Sequence, residues 1–227
     1  MPIDFPWYAW ILVTLAAVGA GFVNAVAGGG TLITFPTLTA LGVLPVPANV
    51  TNAVAVAPGH FGATWSQRAN LAGQRSRLLM LLPPAILGGF VGALLLLRTP
   101  ASTFRELIPW LILFASLLLA AQDTIRKWIV RRAEASGKGV PSTAWAIPLV
   151  FAAAVYGGYF SAGISIIFLA VLGVVIDDSL TRLNALKQTL SFVVTLASSI
   201  FFIASGVVIW PLAIVMAVGA LVGGALG

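Results

Sequence analysis

The sequence predicts an all-α, polytopic membrane protein of two pseudo-symmetric halves with glycine-broken helices, the second half inverted relative to the first. Three observations predict it. Of 227 residues, 60% are hydrophobic and 8% charged, against about 25% charged in a soluble domain. A soluble fold of this length could not hide so much apolar surface, and a mean hydropathy of +1.06 assigns that surface to lipid. The apolar residues fall in runs near the roughly 20 residues that a bilayer-crossing helix needs. The breaks between runs then recur in the same order in both halves.

The same composition excludes several function classes. The chain has no cysteine, which removes disulfides and thiolate metal sites. A single histidine, His60, removes a histidine-rich metal centre. The net charge of +6 and pI near 10.6 would suggest nucleic acid in a soluble chain. Here the positive charges sit in short loops, so they read as membrane topology, with no nucleic-acid partner and no cofactor expected. The start, MPIDFPWYAW, has no basic region and does not read as a cleavable signal peptide.

The first span is Trp7 to Ala27. It ends in Gly28-Gly29-Gly30, which a helix interior disfavours. Thr31 to Val43 follows, reaching about 20 Å, less than a crossing. After the break Leu44-Pro45-Val46-Pro47 come Ala48 to Trp65, the polar loop Ser66 to Arg77, Leu78 to Leu97, and Leu107 to Gln122. Asp123 to Ser142, with Arg126, Lys127, Arg131, Arg132 and Lys138, reads as a cytoplasmic loop. It separates a first repeat, residues 1–122, from a second, residues 143–227. The second holds Ala144 to Phe160, interrupted at Gly157, Gly158 and Gly163, then Ile164 to Ile176, Leu183 to Ala204 and Ile209 to Gly227. It shows no counterpart to Leu107–Gln122, so a last helix is expected to be missing. Asp177 and Asp178 are expected to cap a helix starting near Ser179. Trp7, Trp10, Trp65, Trp110, Trp128, Trp145 and Trp210 near the span ends form an aromatic belt.

Within the repeat, Gly30 to Phe35 lies over Gly163 to Phe168, Thr51-Asn52 over Lys187-Gln188, and Gly88 and Gly92 over Gly219 and Gly223. The last pairs are small-xxx-small patterns that let helices approach closely. The loops Ser66–Arg77 and Asp123–Ser142 hold eight of the twelve basic residues (three and five) and should face the cytoplasm of a plasma (inner) membrane. An odd number of passages before Asp123 inverts the second half, a common transporter plan. Whether the short runs cross or re-enter stays open.

Gly21-Phe22-Val23-Asn24-Ala25 through Gly28-Gly29-Gly30 to Pro36, with Ala48-Asn49-Val50-Thr51-Asn52, resembles the first signature of the sulfite exporter TauE/SafE family. Tyr156-Gly157-Gly158 to Gly163, Arg182 to Lys187, and Trp210-Pro211 to Ala225 are similar to its second half, with a weaker glycine cluster at Ala162-Gly163-Ile164. The resemblance covers most of the chain. It implies an exporter of small sulfur-containing or carboxylate anions, such as sulfite or sulfoacetate, built from two pseudo-symmetric halves.

The residues themselves point to a midplane anion site. Broken helices inside a membrane survive only where protein or water satisfies their backbone. The helices starting at Thr31 and Ile164 would aim amide hydrogens and positive dipole ends at the breaks, where Gly28, Gly29 and Gly30 let a substrate approach the backbone closely, with Gly163 and Ser165 as substrate-binding candidates in the second half. Asn24, Asn49, Thr51 and Asn52 supply amides and hydroxyls in the first half, and Asn184, Lys187 and Gln188 in the second. A cation such as Lys187 inside a span is costly and marks function by default. His60 is the proton-coupling candidate. No acidic residue lies deep in a span, and no nucleophile–base pair or metal set exists, so an enzyme is not expected. The expected partners are a small anion and the lipid bilayer; a homodimer is left open. A secondary transporter is the leading reading, and an anion channel with the same polar lining is the alternative.

Overall fold

The computed structural model describes residues 5–26, 29–134 and 145–226. Gly28 and the end of the expected loop, residues 135–142, lie outside them. Among the described residues every regular element is helical: α1 (Trp7–Val26), α2 (Thr31–Ala40), α3 (Pro45–Ser66), α4 (Arg75–Arg98), α5 (Ala101–Glu134), α6 (Ala146–Tyr159), α7 (Ile164–Val175), α8 (Leu180–Ala204) and α9 (Trp210–Leu226), with a 3₁₀ turn at Arg68–Leu71. Four of them, α1, α4, α5 and α8, are long and apolar enough to cross a bilayer. The 22-residue α3 has the length, but Asn49, Thr51, Asn52 and His60 dilute its hydropathy.

With 10 and 12 residues, α2 and α7 reach about 15 and 18 Å. That is roughly half of a hydrocarbon core of about 30 Å. Each packs back on the helix before it. Gly30 lies against the Ala20 carbonyl, and Ile164 fills the space beside Gly157. Two apolar cores hold the ends. The first gathers Phe35, Leu38, Phe104, Phe160 and Phe202, with the Phe35 and Phe160 rings edge to face at 5.3 Å. The second gathers Ile129, Phe168, Leu172, Leu183 and Leu186, with Leu71, Leu78 and Ile125 against it. The short helices thus serve opposite cores, α2 the first and α7 the second. The second core lies at the end that carries Arg68, Arg75, Arg77 and Arg182, here termed the basic end.

Glycine sets how closely the long helices approach. A Cβ on Gly223 of α9 would sit 1.9 Å from the Val18 carbonyl oxygen of α1, and one on Gly92 of α4 would sit 2.1 Å from the Val155 oxygen of α6. In lipid, such close backbone contact replaces the hydrophobic drive that binds helices in water. Between these pairs α3 packs on α8, with α9 against α3 and α4 against α8.

Two local expectations are corrected. Asp123 does not begin a loop, because α5 continues to Glu134. Ile125 and Ile129 lie one turn apart and pack into the second core while Lys127 and Arg131 are exposed, so this polar stretch is an amphipathic extension of the helix. Asp178 does not cap α8 either. Ser179 is the N-cap, its hydroxyl accepting from the Arg182 N–H at 3.4 Å. Asp178 instead pairs with Arg77, and with Arg182 at 3.0 Å, tying the α7–α8 link to the start of α4. Burial pushes the Asp178 carboxyl up, but hydrogen bonds from Arg77, Arg182 and the Ser179 N–H, with the Arg182 charge, outweigh it and hold the pKa below its ordinary value.

Candidate functional site

A cavity of about 470 Å³ lies between α1, α2, α3, α8 and α9. Small side chains make it. Ala17, Ala20 and Gly21 on α1 and Gly59, Gly62 and Ala63 on α3 leave these helices without bulk where they face each other. Thr34 and Met216 form a buried floor, whereas Ser66, Leu221 and Gly224 are exposed at the mouth, which opens at the basic end. From Val56 to Ser66 the α3 wall spans ten residue steps, about 15 Å, so the floor lies near half the membrane depth.

Below the polar mouth residues Ser66 and Gln67, four polar side chains face this space: Asn24, Thr34, His60 and Gln188. The Asn24 Oδ1 accepts the Gly29 and Gly30 N–H groups, each at 3.1 Å. Two donors fix which end of that amide is oxygen, so its NH₂ remains as a donor for the cavity. Thr34 Oγ1 donates to Asn52 Oδ1 at 2.6 Å, placing Asn52 behind it. His60 is 5% exposed, lies beside Gln188 across the α3–α8 contact, and feels the Lys187 charge. No carboxylate lines the space among the described residues.

Of the residues singled out in the sequence, Asn24, His60 and Gln188 meet here. The others lie elsewhere. Asn49 Nδ2 donates to the Tyr159 carbonyl at 2.9 Å and Thr51 Oγ1 accepts from the Ile209 N–H at 3.0 Å, so both tie α3 to the second half. Gly29 lies against Leu119 and Gly163, in the left-handed region at φ 78°, against Ala115, so both breaks face α5 rather than the cavity. Thr31 is buried in the first turn of α2. Ser165 sits 3.4 Å from Ser191. Asn184 has a buried Oδ1 without a partner among the described residues. Lys187 is 4% exposed on the α8 face next to Gln188 and feels the charge of Arg126 on α5. Neither described ion pair uses it. Sequence reasoning missed Thr34 and the glycine wall of α3; the spacing Gly59-x-x-Gly62 was the available signal.

These features define a multi-pass helical membrane protein with a polar, carboxylate-free cavity reached from one end. The chain belongs to the sulfite exporter TauE/SafE family, whose model matches residues 13–227. It is 26% identical to a "Probable membrane transporter protein" of Haemophilus influenzae, over 96% of this chain and 84% of that one. It is 27% identical to "Probable membrane transporter protein YfcA" of Escherichia coli K12, over 93% and 76%, and 24% identical to "Probable membrane transporter protein ORF9" of a Sinorhizobium species, over 99% and 84%. No solved structure matches it. The family is one of membrane transporters, in keeping with the absence of an expected enzyme site.

Proposed function

We propose that the protein is a secondary transporter that exports small sulfur-containing or carboxylate anions, such as sulfite or sulfoacetate, across the plasma membrane. The anion binds in the cavity beneath Asn24, His60 and Gln188. The observation that carries this is the cavity's polarity: amide and imidazole groups line it, no carboxylate among the described residues does, and the Lys187 charge reaches His60. An amide NH₂ and a nearby buried cation favour an oxyanion and disfavour a metal cation. His60 couples the movement to protons.

The same reading takes α1–α4 and α6–α9 as inverted copies related by a pseudo-twofold axis. Three kinds of packing support it. The contact of α1 with α9 is mirrored by that of α6 with α4, and α3 meets α8 at the centre. Gly219 faces Thr14, Ala17 and Val18 as Gly88 faces Phe151, Ala154 and Val155. Gly21 abuts the Ala220 backbone as Gly158 abuts that of Gly89. The positive-inside rule then puts the basic end, and the cavity mouth, in the cytoplasm.

The test is efflux from liposomes containing the purified protein and loaded with sulfite, competed by sulfate, sulfoacetate, taurine and simple carboxylates. Saturable efflux that accumulates against a gradient when a pH difference is imposed supports the proposal. Flux that only dissipates gradients assigns a channel, and no movement of any oxyanion refutes the reading.

A further inference from the structure

The far end of α5 presents a basic surface that the cavity does not use. We infer that Lys127, Trp128 and Arg131, on the α5 extension beyond the bilayer core, seat the headgroup of an anionic phospholipid. The site is separate from the cavity and from whatever the cavity carries.

Of the four bilayer-length helices, α5 is the least enclosed by protein. Its outward stripe is Trp110, Leu113, Phe114 and Leu117, all exposed and at helical spacing. All four are large. Helices that pair in lipid do so through small residues, so this stripe suits acyl chains and not a second copy. Trp128 follows Trp110, and Arg131 follows Leu113, by 18 residues, which is five whole turns of about 3.6 residues each. Both therefore continue the lipid-facing stripe. Lys127 stands one turn before Arg131, and both are exposed. The other side of the helix is fixed, because Ile125 and Ile129 enter the second core and Gly173 of α7 leaves room for Ile129. Arg126 is two residues from Trp128, more than half a turn round the helix, where its charge reaches Lys187.

Depth points to the headgroup. No charged residue lies between Glu106 and Asp123. A charge within hydrocarbon is costly, so the exposed Asp123 marks where the core ends. Lys127 and Trp128 follow it by four and five residues, about 6 and 8 Å, which is the depth of the headgroup layer. Arg131 stands a turn farther, but helical side chains lean toward the N-terminus, here back toward the bilayer. Two cations about 6 Å apart can then share one phosphodiester, the guanidinium as a fork and the ammonium as a point charge. Trp128, 43% exposed, spans the step from acyl chain to headgroup. A zwitterionic lipid would bring its own cation against Lys127 and Arg131, whereas an anionic one brings none, so charge complementarity selects the anionic class.

The basic end also supplies a control. Trp65 and Arg68 have the same three-residue spacing, but the Arg68 guanidinium lies over the Trp65 ring at 4.8 Å and its Nη1 donates to the Trp65 carbonyl at 2.9 Å. That arginine is held by its own helix end.

The test places the purified protein in nanodiscs of phosphatidylcholine, titrates phosphatidylglycerol into them, and counts retained lipids by native mass spectrometry. One phosphatidylglycerol should be retained in preference to phosphatidylcholine. Arg131→Gln should weaken its retention about fivefold, and Lys127→Gln with Arg131→Gln by more than fivefold and up to about 25-fold, each surface cation being worth about a factor of five. Arg68→Gln should change nothing, and inorganic phosphate should not displace the lipid. Brominated phosphatidylglycerol should quench the parent's tryptophan fluorescence more than that of Trp128→Phe. A double variant that stays monodisperse, melts with the parent and still retains the lipid as tightly would overturn the site. Equal loss from Arg68→Gln would reduce it to diffuse attraction, and displacement by inorganic phosphate would make it a site for soluble anions; either refutes the lipid assignment.

Discussion

The glycine contacts offer the sharpest test of how the helices are held. Take Gly223→Ala. The new Cβ would lie 1.9 Å from the Val18 carbonyl oxygen, against an ordinary contact of 3.4 Å or more, so α1 and α9 must separate by the difference, about 1.5 Å (3.4 − 1.9). Both atoms belong to rigid backbone or are fixed to it, so no rotamer change relieves the clash. Overpacking of this kind costs about 1–3 kcal/mol, and the upper part of that range applies here because two whole helices must shift. Gly92→Ala meets the Val155 oxygen at 2.1 Å and should cost about the same. Gly19→Ala is the control. It lies in the interior of α1 with no atom within 4 Å of its would-be Cβ, and a helical glycine replaced by alanine should gain up to about 1 kcal/mol. The assay is thermal unfolding in detergent, followed by the fraction that stays monodisperse after heating. Gly92 and Gly223 variants should melt lower and the Gly19 variant no lower than the parent. Equal melting of all three would refute the close-approach account.

Other perturbations separate structural from transport roles. Asn24→Ala leaves the Gly29 and Gly30 N–H groups unmet and should destabilise by about 2 kcal/mol, while Asn24→Asp keeps the acceptor and should fold; equal stability of both would remove the cap. Asp178→Asn should cost about 1 kcal/mol at neutral pH, since its arginines are about one-third exposed. A carboxyl whose folded pKa is depressed stabilises above its unfolded value and loses that contribution as pH falls through the folded one. The effect of Asp178→Asn should therefore vanish only below the ordinary 3.8, and a loss already complete at neutral pH would contradict the pairing. His60→Gln should flatten the pH dependence of efflux; an unchanged profile would leave His60 as packing. Lys187→Ala should abolish efflux in protein that still inserts, and normal efflux would remove Lys187 from the site.

Much of the fold was legible because lipid makes sequence explicit. Span positions follow from apolar length, and the ends of α6, α7 and α9 fall within two residues of the expected ones. The helical run from Asp123 to Glu134 was not legible from hydropathy, because a helix leaving the bilayer becomes polar without ceasing to be a helix. Within the site, side-chain chemistry was legible and its direction was not. Asn49 and Thr51 look like ligands, but their partners, the Tyr159 carbonyl and the Ile209 N–H, come from more than 100 residues away. Gln188 and Lys187 are neighbours in sequence, yet Gln188 lines the cavity while Lys187 is buried beside it, within range of both His60 and Arg126. Thr34 carried no signal, since threonine is ordinary in membrane helices and its role depends on Asn52 behind it.

That placement of Lys187 changes what the cation is for. A lysine inside the cavity would form a contact ion pair with the anion, and a transporter must also release its cargo. Lys187 is not among the lining side chains, so on the proposed function its charge acts on the anion through the field. At an effective dielectric constant near 20 a contact ion pair at about 4 Å contributes about 4 kcal/mol, and the contribution falls in proportion to distance. On the proposed function, selection for an anion and ease of release are set by different groups: the Lys187 charge would choose the sign of the cargo, while the neutral amides of Asn24 and Gln188 would hold it through hydrogen bonds that water can replace. Moving the cation forward tests the division. Gln188→Lys with Lys187→Gln should bind sulfite more tightly and release it more slowly, so efflux falls although affinity rises; a rise in both would show that proximity of the charge, not its distance, limits the parent protein.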